Sequence, residues 1–202
     1  MFISDYFHLD EKQFNMMCSE GVFDALLDKD SNFFINIIRL KKSTIPEFIE
    51  AYHHINKFFS EIATLLDAAD KPSIEDKMYR TARNRFNFHE VNGINLGFSK
   101  SGYGAGWGNE LSDKFLFDAY QIVKKGSKQP EIFHLVSLFE EDVGPDRLSD
   151  MIATIIEPEI KKYTVRIMKK MGITPQVYQN LVFRSDVFFR THLKILEFSF
   201  YL

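Results

Sequence analysis

A mainly α protein, a helical bundle-like domain with one small β-hairpin at about residues 86–98, is what the sequence predicts. Three observations lead there. Apolar residues recur at helical spacing, helix-starting and helix-stopping residues bracket those stretches, and strand-like alternation occurs once, around an Asn-Gly pair.

Taken in order, residues 10–18, 22–27 and 33–40 read as short helices divided by Ser19-Glu20-Gly21 and by Asp28-Lys29-Asp30-Ser31. The third, FFINIIRL, fits a buried strand equally well over so few residues. Residues 44–69 form the clearest helix. Thr44 and Glu47 make a capping-box pair, Pro46 suits a first turn, and Phe48, Tyr52, Ile55, Phe59, Ile62 and Leu66 form an inward stripe. Ser73, with Asp76 three residues on, opens a helix to about Arg85. Phe86 to Val91 and Ile94 to Phe98 then flank Asn92-Gly93, suited to a type I′ turn. A strict two-residue loop puts Val91, Ile94, Leu96 and Phe98 on one face and Phe86 and Phe88 on the other, so both faces are covered or a bulge intervenes.

Glycine occupies every second position from Gly102 to Gly108, ahead of a helix over 109–125. Asn109 is its expected cap, Leu111, Phe115, Ala119 and Ile122 its stripe, and Lys124-Lys125-Gly126 its close. A short apolar segment, 131–139, leads through Glu140-Glu141-Asp142 to a helix from Pro145 that carries Leu148, Ile152 and Ile155 inward. Pro158 ends or kinks it. Its continuation, with Ile160, Tyr163, Ile167 and Met171, stops at Gly172, and Pro175 opens a last helical stretch towards the apolar LKILEFSFYL.

Composition sets the bounds. The 202 residues suit a single domain over 1–202, and 45% hydrophobic content with 21 phenylalanines excludes disorder. Cys18 stands alone, so no disulfide staples the fold. A net charge of −3 argues against bulk attraction to polyanions, leaving only local basic patches. No signal peptide and no long uncharged apolar run is found, so a cytoplasmic protein without a membrane span is expected. The apolar end, with Phe188, Phe189, Phe198, Phe200 and Tyr201, implies an end docked in the core, hidden in a partner or second copy, or cut from a longer chain.

Two constellations point to phosphate chemistry, the first against a plainer reading as a mobile surface loop or irregular glycine-rich hairpin and the second against one as a solvated helical face. A glycine-rich run that follows a strand and opens a helix lets backbone N–H groups approach an anion, with the helix dipole adding attraction. Gly102, Gly104, Gly106 and Gly108 supply that run, Lys100 a charge and Trp107 a stacking surface. The spacing matches neither a dinucleotide fingerprint nor a P-loop. On the preceding helix, Lys77, Arg80, Arg83 and Arg85 are basic; Lys77, Arg80 and Asn84 share a face, with Tyr79 and Phe86 beside them to stack on a base.

Asp142, Asp146 and Asp150 are the candidate Mg²⁺ ligands, since oxygen-rich clusters hold that ion and can activate water for hydrolysis. An acidic first turn also simply complements a helix N-terminus. The string Gly144-Pro145-Asp146-Arg147-Leu148-Ser149-Asp150 resembles a short signature of uncharacterised bacterial proteins associated with phage-defence or mobile-element loci. That resemblance covers under a fifth of the chain and implies no activity or catalytic residues.

Two Glu-x-x-His pairs, Glu50/His53 and Glu131/His134, have the spacing of di-iron bundles, but Glu50 and His53 project away from their apolar stripe, as does His134 if its segment is helical. No hydrolase triad signature occurs. The leading expectation is recognition of a nucleotide or nucleic acid through Lys77, Arg80, Arg83, Lys100 and the glycine loop, with metal-dependent hydrolysis if the aspartates share the cleft. The rival is a non-enzymatic helical interaction or scaffold protein that binds a partner or itself through its aromatic C-terminal segment.

Overall fold

The computed structural model describes residues 1–24, 26, 34–88, 91, 108–127, 129, 133 and 145–173, without the side chains of Pro145 and Asp146. Among these residues the fold is mainly helical. The helices are α1 (Ile3–Tyr6), α2 (Glu11–Ser19), α3 (Ile37–Lys41), α4 (Pro46–Ala68), α5 (Lys77–Arg85), α6 (Asn109–Lys124), α7 (Pro145–Ile155) and α8 (Glu157–Lys170). The only β pairing among the described residues is an isolated bridge between Phe2 and Leu26. Most of the expected hairpin, including Asn92-Gly93, lies outside the described residues; Phe86, Phe88 and Val91 are described and buried, without regular structure. No described helix is long and apolar enough to cross a membrane.

The chain divides into two compact units. The first comprises Met1–Tyr52, Val91–Gly104 and Ile156–Leu202; the second comprises His53–Glu90 and Ala105–Ile155. Helix α4 contributes its opening turns to the first and the remainder to the second.

In the first unit, Asp10 caps α2 by accepting from the Gln13 N–H at 2.8 Å, and Gln13 Oε1 accepts from the Asp10 N–H at 3.0 Å. Gln13 Nε2 also donates to the Met171 carbonyl at 2.7 Å, joining the start of α2 to the end of α8. Met17, Leu40, Phe48, Ile160, Tyr163 and Ile167 are buried there, with the Phe48 and Tyr163 rings 4.9 Å apart. The expected helix over 22–27 does not form at Val22, Phe23 or Asp24. Six residues are too few to offset helix nucleation, and Asp24 is drawn instead to Ser4, accepting from its N–H at 2.9 Å and its hydroxyl at 2.6 Å. The strand-or-helix ambiguity at 33–40 resolves to the short helix α3, which starts late because Asn36 caps it, accepting from the N–H groups of Ile38 and Arg39.

Helix α4 starts at Pro46, not Thr44: the Ile45 carbonyl accepts from Phe48 and Ile49. Glu47, expected as a capping partner, binds Arg166 instead. The predicted stripe is buried except at half-buried Tyr52. Helix α8 begins after a break at Ile156, so Pro158 sits in a first turn where its missing N–H costs nothing. It ends at Gly172, which takes a φ of +70° that other residues resist.

The second unit is built around aromatic rings. Phe59, Phe133, Phe115 and Phe86 stack in sequence, with centroid separations of 4.7, 6.3 and 5.1 Å and interplanar angles of 15–23°. All four are fully buried. Lys124 of α6 donates to the Asp67 carbonyl, an acceptor that the last turn of α4 leaves over, and Tyr120 donates to the Asp70 carbonyl just beyond that helix. Met151, Ile152, Ala153 and Ile155 of α7 are buried, while Leu148 is half-buried.

Candidate functional site

Helix α5 begins one turn later than expected because Asp76, not Ser73, is its cap. Two carboxylate oxygens do what one hydroxyl cannot: Asp76 Oδ1 accepts from the Met78 and Tyr79 N–H groups at 2.8 and 3.0 Å, while Oδ2 accepts from the Asp70 N–H at 3.0 Å. The backbone hydrogen bond from Tyr79 is the leading cause holding this carboxyl below its ordinary pKa. The α4–α5 connection and the start of α5 are thus fixed by one side chain.

The four basic residues of α5 go to different tasks. Lys77 and Arg80 are exposed, and Arg80 Nη1 donates to the Ile74 carbonyl at 3.0 Å, leaving most of its donors over. Arg83 turns to α6. It pairs with Asp113, and its Nη2 donates to the Asn109 carbonyl at 3.2 Å and to Asn109 Oδ1 at 2.9 Å. Arg85 pairs with Glu61 of α4 at 2.5 Å.

Asn109 is therefore not the α6 cap. That position falls to Gly108, which offers the helix no side-chain acceptor. Tyr79 and Phe86, expected as stacking surfaces, are core residues. Tyr79 packs edge-on against Tyr120 at 6.1 Å; burial, with Asp113 nearby, pushes its hydroxyl to a pKa of about 12 despite Arg83, so it stays protonated.

Lys100, Gly102, Gly104, Gly106, Trp107 and Asp142 lie outside the described residues, as do the Asp146 side chain, the pair Glu131/His134 and the C-terminal aromatic segment. Asp150 is half-buried on α7. Among the described residues no group of three His, Cys, Asp or Glu side chains could hold a metal ion. Glu50 and His53 are exposed, as their outward register predicts, and Glu50 accepts from Lys162 at 3.0 and 3.1 Å.

Two surface depressions stand out among the described residues. One, of about 870 Å³, runs along α8 past Lys161, Lys162, Arg166 and Lys170. Four of its five cations are matched by carboxylates, Lys161 by Glu157, Lys162 by Glu50, Arg166 by Glu47 and Glu20, and Lys170 by Glu20, while Lys169 has no ion-pair partner among the described residues. The other, of about 410 Å³, lies between α4 and α5 beside Lys57, Ser60, Glu61 and Arg85. Sequence reasoning missed it because Lys57 sits 28 positions from Arg85, and no local spacing joins them.

No curated protein and no solved structure matches the chain. A family model does, over residues 14–196, and it includes both depressions and every candidate ligand residue. The chain therefore belongs to the family described as domain of unknown function DUF8370.

Proposed function

We propose that this protein recognises a phosphate-bearing ligand, a nucleotide or nucleic acid, where α5 meets the start of α6. The observation that carries this reading is the pair of Arg83–Asn109 hydrogen bonds, which sets the exit of the glycine-rich segment against the basic helix. Lys77 and Arg80 are the contact cations, and Arg83 is a positioning residue. Gly108 opens the proposed cradle, a glycine-bearing helix start being favourable for an anion, and Lys100, Gly102, Gly104, Gly106 and Trp107 are the further candidates that the sequence offers for the same ligand. Hydrolysis with Mg²⁺ on Asp142, Asp146 and Asp150 belongs to the same proposal, as do a cytoplasmic location and the phage-defence or mobile-element setting suggested by Gly144 to Asp150.

Thermal-shift and filter-binding screens against nucleotides and single-stranded and duplex nucleic acid, with and without Mg²⁺, test it. The double variant Lys77→Ala/Arg80→Ala is expected to weaken binding and to flatten the logarithmic salt dependence by about 0.7–0.9 per charge removed. If every ligand leaves the chain unmoved while it self-associates through its C-terminal aromatics, the interaction-protein reading replaces this one.

Gly108 gives a second test. Its φ is −74°, and a Cβ there would meet nothing among the described residues within 4 Å, so the chain itself does not require glycine. Gly108→Asp is expected to stabilise the free protein by a few tenths of a kcal/mol through N-capping. The same carboxylate would occupy the N–H groups offered to phosphate, so binding is expected to fall as Tm rises. Unchanged binding in a stabilised variant would remove Gly108 from the cradle.

A further inference from the structure

We propose that the groove between α4 and α5 seats the sugar-phosphate backbone of a nucleic-acid strand, with Glu61 acting as an internal competitor for Arg85. That the ligand carries phosphate rests on the reading above; the groove stands on its own geometry.

Lys57, Ser60 and Glu61 from α4 and Arg85 from α5 line one depression of about 410 Å³. Lys57 has no ion-pair partner among the described residues. The Thr64 and Thr81 hydroxyls in the same wall donate to the Ser60 and Lys77 carbonyls of their own helices, so their protons are already used. Lys57, Ser60 and Arg85 are left as the donor set, the residue types that contact nucleic-acid phosphates.

Arg85 Nη1 meets Glu61 Oε2 through a single contact, with the two side chains 50% and 44% exposed. Such a pair is weak in water and readily exchanged. A phosphate offers the guanidinium two oxygens in a fork that this contact does not use. Glu61 thus keeps Arg85 neutralised and extended over the groove until a stronger acceptor arrives.

The occupant is a strand, not a mononucleotide, because of length. Lys77, Thr81 and Arg85 follow one another at four-residue spacing, so Lys77 continues the line of the groove. The rise from Lys77 to Arg85 is about 12 Å, the length along a duplex axis of three to four nucleotides of one strand at about 3.4 Å each. A strand sets phosphates along that whole line, whereas a nucleoside monophosphate carries only one.

Fluorescence anisotropy of the full chain with labelled oligodeoxynucleotides of increasing length, competed by a mononucleotide, tests this. Affinity is expected to rise with length. Glu61→Gln, isosteric and on an exposed pair, is expected to tighten oligonucleotide binding by up to roughly fivefold and steepen the salt slope by about 0.7. Lys57→Ala and Arg85→Gln are expected to weaken binding and flatten that slope, with circular dichroism confirming the fold of each variant. Binding weakened by Arg80→Ala but unmoved by Glu61→Gln and Lys57→Ala would overturn the groove and leave the phosphate reading standing. So would a mononucleotide that binds as tightly as the longest strand. A wild-type chain that binds neither would overturn both.

Discussion

Phe115→Ala is expected to lower the unfolding free energy by about 3–5 kcal/mol, the range for deleting a fully buried ring without collapse of the space it leaves. Phe115 sits inside a near-parallel series, 5.1 Å from Phe86 on one side and 6.3 Å from Phe133 on the other. Its removal opens a cavity and breaks the line joining α4, α5 and α6. Phe115→Leu retains apolar volume without a ring, so the difference between the two variants separates burial from aromatic contact, itself worth about 0.5–1.5 kcal/mol per pair. Urea unfolding followed by circular dichroism, with amide exchange along α4 and α6, gives the measurement. A loss below about 1 kcal/mol would mean that the stack does not hold this unit together.

Arg166→Ala is expected to destabilise the first unit by about 1–2 kcal/mol at neutral pH, less than a fully buried charge would lose because Arg166 is about one-third exposed. The guanidinium meets Glu47 with both forks, Nε to Oε1 at 2.7 Å and Nη2 to Oε2 at 3.1 Å, and lies over the Tyr163 ring at 5.0 Å. Removing it leaves Glu47 mostly buried without its main partner. Arg166→Lys keeps a charge but loses the fork, and is expected to fall in between.

The pH dependence supplies a sharper check. Burial pushes the Glu47 carboxyl up, but the Arg166 hydrogen bond and charge, with a backbone bond, bring it to a net value below its ordinary 4.5. Because the folded state holds this group more acidic than the unfolded chain, the contribution is fully present above 4.5. It is lost as pH falls through the lower folded value. The Tm gap between wild type and Arg166→Ala should therefore be widest near neutrality and close in acid. A gap that persists unchanged at low pH would assign the loss to packing on Tyr163.

Periodicity made the helices legible, since Phe48, Ile55, Phe59, Ile62 and Leu66 can share a face only at a helical repeat. The stops were legible for the same kind of local reason: Gly126 and Gly172 both take a positive φ. Helix starts were harder, because capping is a competition among nearby acceptors. Asp76 outcompeted Ser73 by also reaching the Asp70 N–H, and Asn109 lost the cap position because Arg83 engages its side chain. Of the candidate site, the sequence showed that α5 is basic but not how its charges divide. Arg83 and Arg85 are each taken by an acid from another helix, at positions 30 and 24 residues away. Tyr79 and Phe86 went to the core because they fall on the face that α6 covers, a fact residing in α6 and not in α5.

The two units also differ in when their partners become available. Within the second, Arg83–Asn109 and Lys124–Asp67 join positions 26 and 57 residues apart. In the first, Gln13–Met171 and Tyr163–Glu20 join positions 158 and 143 apart. On a ribosome making about 5–20 residues per second, Phe48 must wait for roughly 110 further residues and Met17 for roughly 140 before α8 begins, on the order of 5–30 s. The contacts among α4, α5 and α6 are complete in sequence by Lys124 and can form while the first unit still displays its apolar side chains. During synthesis, that waiting surface is where a chaperone would find this chain.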